Sequence, residues 1–244
     1  MRKILAYPFT VVYFLVFGLL LVIFHPIQWI CFNVFGYQAH KKSVDILNFF
    51  LAYSLLLLGD WITFRNPHNI PTDKPCIIVA NHQSMYDISP IIWHMRKHHP
   101  KFISKKELGR GIPSISYNLR HGGSALIDRK DKEQAFKEIL NIADYANKNN
   151  RSIVIFPEGT RSRDGKPKRF QTGGLKILLK KMPNAQVVPI SINNSWKTLR
   201  YGKFPMGIGT HITFDVHEPL GARDYPAEEL IEKLETIISS NIKA

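Results

Sequence analysis

The sequence predicts an α/β fold: a mostly parallel or mixed sheet flanked by helices, preceded by an N-terminal membrane-embedded helical hairpin. Three observations predict it. From residue 75 onward, short apolar runs alternate with helical patterns, which read as strands buried on both faces and the helices that cover them. The chemically capable side chains gather where those runs end, and sheets of this class form their sites there. The residues before 65 form a separate, strongly apolar block.

Ile4 to Phe24 carries no charge, and at ~1.5 Å per residue a helix over that run reaches about 30 Å, the thickness of a hydrocarbon core. His25-Pro26 is expected to break the pattern. Trp29, Phe32, Phe35 and Tyr37 suit interfacial depth. The apolar stretch between Asp45 and Asp60 is short for a second crossing, reaching only about 21 Å as a helix. A hairpin dipping into one leaflet, with Lys41 and Lys42 near its turn, is the preferred reading; two spans in a thinned bilayer is the alternative. Two segments are expected: 1–64, membrane-associated, and 65–244, an α/β domain, expected at the cytoplasmic face of the cell membrane.

A polar connector, Arg65 to Lys74, leads into the second segment. Strands are expected at Cys76–Ala80, Phe102–Ser104, Ala125–Ile127, Ser152–Phe156, Val187–Ile192 and Ile208–Val216. Helices are expected at Ile88–Met95, Asp131–Asn149, Gly174–Lys181 and Glu228–Ile238. In the second helix, Phe136, Ile139, Leu140 and Ala143 form the apolar face.

Composition narrows the function. Two cysteines exclude a disulfide scaffold and a four-cysteine zinc site, and 45% hydrophobic residues exclude disorder. The formal charge of +14 calls for anionic partners such as phosphates, nucleic acid, an acidic protein or a membrane surface. Basic side chains concentrate in 96–110 and 161–181. There is no G-x-S-x-G elbow, no Walker loop and no H-E-x-x-H. His94 and His98 have helical spacing but no third ligand nearby, so no metal is expected.

The first strand runs into Asn81-His82, with Asp87 five residues past the histidine. A carboxylate at that spacing can fix the imidazole tautomer and leave the other nitrogen to take a hydroxyl proton. Taken alone, the pair reads more readily as a structural hydrogen bond. The third strand ends in Asp128-Arg129 and the fourth in Phe156-Pro-Glu158-Gly159-Thr160-Arg161. Two arginines beside a histidine suit a phosphate-bearing substrate. With a base and anion clamps but no nucleophile, direct attack by a substrate hydroxyl is the natural scheme.

These residues resemble those of the glycerolipid acyltransferases. Asn81-His82-x-x-x-x-Asp87 is similar to that family's first motif. Gly122-Gly-Ser-Ala-Leu-Ile-Asp128-Arg129 resembles the second, with Leu126 in place of the usual aromatic. Phe156-Pro-Glu-Gly-Thr-Arg-Ser162 resembles the third, and Val187-Val-Pro189-Ile-Ser-Ile192 the fourth. Order and spacing agree over about residues 76–195, nearest to the bacterial 1-acyl-glycerol-3-phosphate acyltransferases. The resemblance implies transfer of an acyl group from acyl-CoA or acyl carrier protein to the 2-hydroxyl of lysophosphatidic acid, giving phosphatidic acid. It implies His82 as base and Asp87 as its orienting carboxylate. Lys105, Arg129 and Arg161 would hold the phosphate, and Glu158, Gly159 and Thr160 would shape the acceptor site. Pro189 would belong to the acyl-donor region. It implies membrane lipids as partners and no cofactor, metal or nucleic acid. Alternatives are another acceptor (lyso-ornithine lipid, another lysophospholipid, glycerol-3-phosphate), a hydrolase, or a non-enzymatic basic membrane or nucleic-acid binder.

Overall fold

The computed structural model describes residues 2–243. Helix α1 (Arg2–Phe35) and helix α2 (Tyr37–Tyr53) form the hairpin, joined at Gly36 with φ 80°. The break expected at His25-Pro26 does not occur, and α1 runs through Pro26 to Phe35. Proline removes one helix hydrogen bond but need not end a helix held from outside. Here Ser114 donates its hydroxyl to the Leu21 carbonyl and its N–H to His25 Nδ1, so the α/β domain grips the helix across that turn.

Strand β1 (Trp61–Arg65) follows a 3₁₀ turn at Ser54–Leu58. It pairs in parallel with β7 (His211–Val216). The boundary expected between 64 and 65 therefore falls inside a strand of the main sheet. Trp61-Ile-Thr-Phe-Arg65 alternates only weakly in hydrophobicity, and its pairing is long-range, so no local pattern marks it.

The remaining elements are β2 (Cys76–Ala80), α3 (Ile88–His94), β3 (Pro100–Lys105), α4 (Ile115–His121), β4 (Ala125–Ile127), α5 (Lys132–Asn149), β5 (Ser152–Ile155), α6 (Thr172–Lys181), β6 (Gln186–Asn193), β8 (Leu220–Gly221) and α7 (Ala227–Ser240). The sheet order is β1-β7-β6-β2-β5-β3-β4, with β8 beside β6. The β6–β7 and β6–β8 pairs are antiparallel and the others parallel. The expected mixed sheet is present.

Period-two alternation sends β2 to two cores at once. Cys76, Ile78 and Ala80 join the core beneath the hairpin and α3, while Ile77 and Val79 join the core with α5, α6 and α7. Every β2 side chain is buried, as a strand covered on both faces requires. On α5 the buried face is Ile139, Ile142, Ala143 and Ala146. Phe136, expected there, is instead 50% exposed and lines the large cavity described below. Asp131 caps α5 by accepting the Gln134 N–H.

Candidate active site

The loops that follow β2, β4 and β5 meet at the carboxyl ends of their strands. Asn81 fixes the first of them by a two-way amide bond across to β6, accepting the Ile192 N–H at 2.7 Å and donating to the Ile192 carbonyl at 2.9 Å. A short 3₁₀ turn, Met85–Asp87, capped by Ser84, then turns Asp87 back toward His82.

Asp87 is fully buried and is surrounded by donors. Its Oδ2 accepts the Gln83 N–H at 2.8 Å, the Ser84 N–H at 2.9 Å and His82 Nδ1 at 2.8 Å. Its Oδ1 accepts the Ser195 hydroxyl. An acceptor so heavily committed is an ionised carboxylate. His82 Nδ1 therefore carries the proton, and Nε2 presents a lone pair. Arg161 Nε faces that lone pair at 3.4 Å, a long and weak contact. The imidazole lies flat on Phe156, with ring centroids 4.2 Å apart and an interplanar angle of 18°. Tautomer and ring orientation are thus both set.

Glu158 is 3% exposed. Its Oε1 accepts the His82 backbone N–H at 3.3 Å, and its Oε2 is buried without a partner. Burial pushes its carboxyl up to about 7. Gly159 has φ 70°, which L side chains rarely adopt, and a Cβ there would also come within 2.9 Å of the movable Gln171 amide, so the backbone angle favours glycine. Its carbonyl accepts from Arg129 Nη1 at 2.5 Å. Lys168 closes the loop by donating to the Thr160 hydroxyl at 3.0 Å and to the Arg161 carbonyl at 2.8 Å.

Arg129 lies close enough to Arg161 for the two charges to repel. Desolvation first, and Arg161 second, lower its guanidinium's pKa. Among the described residues, no carboxylate pairs with either arginine. Two guanidiniums without a carboxylate partner, beside a histidine whose Nε2 is open, suit an oxyanion. Lys105 stands exposed at the end of β3 and lines the same cavity.

That cavity has a volume near 1900 Å³ and is lined by His82, Lys105, Arg129, Gly159, Thr160 and Arg161 at one side. Leu47, Leu51, Leu55, Ile92, Ile112 and Leu119 give it apolar walls beneath the hairpin. Of the residues expected at the site, Asp87, Glu158 and Pro189 do not line it. Asp87 and Glu158 are buried and bond to His82 from within the protein. Pro189 lies elsewhere, buried in β6, in register with Val79, and accepts the His217 N–H at 2.9 Å. Sequence reading missed Ser195 and Lys168. Ser195 carries no local signal, because it acts on a residue 108 positions away; Lys168 lies in the basic 161–181 window, but nothing there separates it from its neighbouring lysines and arginines.

The Acyltransferase family profile matches residues 61–193, more than half of the chain. A 1-acyl-sn-glycerol-3-phosphate acyltransferase of Helicobacter pylori is 37% identical over 50% of this chain and 49% of its own length. One of Chlamydomonas reinhardtii is 30% identical over 74% of this chain and 53% of its own. The match thus spans about half the length of these relatives. One of Borreliella burgdorferi is 28% identical over 81% of each chain. The crystal structure of the 1-acyl-sn-glycerophosphate (LPA) acyltransferase PlsC of Thermotoga maritima superposes with a TM-score of 0.81 at 26% identity, covering 98% of this chain and 95% of that one. With the profile match covering the strands and loops that build the His82 site, the chain belongs to the acyltransferase family.

Proposed function

We propose that the protein transfers a fatty acyl group from a thioester, carried by CoA or acyl carrier protein, to the 2-hydroxyl of 1-acyl-glycerol-3-phosphate, giving phosphatidic acid. The observation that carries this reading is the placement of His82 Nε2, held by Asp87, beside two arginines that lack carboxylate partners. The cavity's apolar walls suit an acyl chain, and the names of the relatives point to the same acceptor.

In this scheme Arg129, Arg161 and Lys105 bind the acceptor's phosphate and hold its free hydroxyl over Nε2. Drawing Arg161 onto the phosphate uncovers the lone pair it faces at rest. His82 takes the hydroxyl proton as the oxygen attacks the thioester carbonyl. Asp87 stabilises the imidazolium, which returns the proton to the departing thiolate. General-base assistance of this kind contributes about 10²–10⁴-fold, and fixing the hydroxyl supplies several kcal/mol more.

The same reading places α1 in one leaflet. By length and composition α1 could cross a bilayer. Yet the catalytic domain contacts it along its length: Met206 donates to Thr10, Ser114 to Leu21, and Tyr117 accepts from Asn33. Its buried residues Ala6, Thr10, Tyr13, Leu21, Phe24 and Gln28 form one helical stripe. Ile4, Leu15, Leu19, Val22 and Val34 point outward. A helix docked sideways over that distance lies flat on the domain, with its outer face in lipid.

The test uses purified protein, labelled lysophosphatidic acid and an acyl thioester. His82→Ala abolishes product while leaving the thermal melt intact. A panel of acceptors, read by mass spectrometry, identifies the preferred one; equal use of a phosphate-free acceptor refutes the clamp.

A further inference from the structure

At the opposite end of the cavity from His82 lies a second polar cluster that the transfer scheme does not use. Lys101 sits near the start of β3, in register with Ile153, which is itself in register with Ile77 of β2. Ile77 precedes His82 by five residues, so the two sites stand roughly 16 Å apart along the strands at about 3.3 Å per residue. Lys101 is 7% exposed, and among the described residues its ammonium has neither an ion-pair partner nor a hydrogen-bond acceptor. An isolated buried cation is costly, and proteins normally pair one.

The groups around it repeat the pattern. Gln28 and His40 are essentially inaccessible to solvent. Both amide atoms of Gln28, the Tyr37 hydroxyl, His40 Nε2, His99 Nδ1 and Arg151 Nε are buried without partners. Lys101 Nζ and Arg151 Cζ lie 5.2 Å and 5.3 Å from the centroid of the same Tyr37 ring. Gln28, Tyr37, His40, His99 and Lys101 line the cavity. The nearby carboxylate, Asp45, is occupied by Lys41. Buried polar groups are normally satisfied, yet here several groups able to donate (Gln28 Nε2, the Tyr37 hydroxyl, the His40 and His99 rings, Arg151 Nε) gather with cations among them and no free carboxylate. An acceptor-rich anion would satisfy these donors together, while Gln28 Oε1, which accepts, needs a separate donor.

We propose that this pocket, formed by Gln28, Tyr37, His40, His99 and Lys101 with Arg151 behind it, binds a phosphate group as a second anion site distinct from the Arg129/Arg161 clamp. Phosphate fits better than a monovalent carboxylate, because the Lys101 ammonium and several neutral donors line the pocket and the Arg151 guanidinium adds a second positive charge behind it. A phospholipid head group and free phosphate share this chemistry. The pocket lies under the turn of the hairpin, where a head group could reach it. Desolvation, with Arg151 and Lys41 next, lowers the Lys101 ammonium to about 7, the behaviour of a cation held without its counter-ion.

The site is independent of acyl transfer, so its test reads binding and not turnover. Full-length protein in a neutral, non-ionic detergent is titrated with inorganic phosphate and followed by thermal melting. The background is Arg161→Ala, which weakens the catalytic clamp. The melting temperature should rise saturably, and adding Lys101→Met should weaken the apparent phosphate affinity at least tenfold. In a second arm, protein is floated with phosphatidylcholine vesicles with or without phosphatidylglycerol. Loss of the phosphatidylglycerol preference in Lys101→Met identifies the head group as the source. An unchanged preference, with the phosphate response lost, identifies free phosphate. Should Lys101→Met not fold, His99→Asn and Tyr37→Phe serve in both arms with the same expectations. An equal phosphate response and an equal vesicle preference in variant and parent overturn the proposal.

Discussion

Glu158 offers the sharpest quantitative test of the site's electrostatics. Burial lifts its carboxyl from the ordinary 4.5 to about 7. The folded value lies above the unfolded one, so between pH 4.5 and 7 the native state holds a proton that the unfolded chain has lost. Stability falls as pH rises through that window and is level above it. At about 1.4 kcal/mol per pH unit, the full loss is roughly 3 kcal/mol, an upper bound. Glu158→Gln keeps an oxygen for the His82 N–H and cannot ionise. Its amide nitrogen takes the place of Oε2, which already lacks a partner, so the substitution adds little new desolvation cost. Every other titrating group is common to both proteins and cancels in the difference. Urea unfolding in non-ionic detergent, followed by tryptophan fluorescence from pH 4.5 to 8.5, should show the variant gaining on the parent by roughly 2–3 kcal/mol across the range. A difference independent of pH would refute a buried, proton-holding Glu158.

Four further outcomes follow from the geometry. Ser195→Ala removes one donor from a buried carboxylate; charged hydrogen bonds are worth about 1.5–3 kcal/mol, so kcat should fall roughly ten- to a hundredfold and Ser195→Thr should restore part of it. Gly159→Ala forces a side chain into the left-handed region against Gln171 and should cost about 1–3 kcal/mol in a thermal melt, with a raised KM for the phosphorylated acceptor because Arg129 loses its anchor. Lys168→Met frees the Thr160–Arg161 loop and should raise KM more than it lowers kcat, measured by steady-state kinetics. Ile78→Ala opens a cavity in a fully buried strand and should cost about 2–5 kcal/mol in denaturant unfolding.

Much of the sheet was legible because both of its faces are covered. The apolar runs at 76–80, 152–155 and 187–192 have few other ways to hide their surface. Where one covering layer is partial, the pattern fades. The β1 strand is a half-exposed pairing partner of β7, and nothing local separates it from the hairpin. Phe136 misled for a related reason. Its helical spacing placed it on the apolar face of α5, but the cavity opens at that turn, and the ring lines it. The α1 helix continues past Pro26 because Ser114 and Tyr117, ninety or so residues away, hold it.

The site divides along the same physical line. His82, Asp87, Arg129, Glu158 and Arg161 follow strands directly, so strand ends alone bring them to one edge. What gives Asp87 its fixed charge is not local. Ser195 reaches it across 108 residues of sequence because β6 lies beside β2 in the sheet. In sequence Ser195 is a small polar residue in a turn, indistinguishable from a solvated one. Knowledge of the β2–β6 adjacency changes its meaning: the residue just past the end of β6 must fall next to the turn just past the end of β2. The candidate site residues are therefore readable where chemistry and strand ends coincide. The residues that orient them become readable only once strand order is known, and the same adjacency predicts that substitutions at 195 act through the His82–Asp87 pair and leave acceptor binding unchanged.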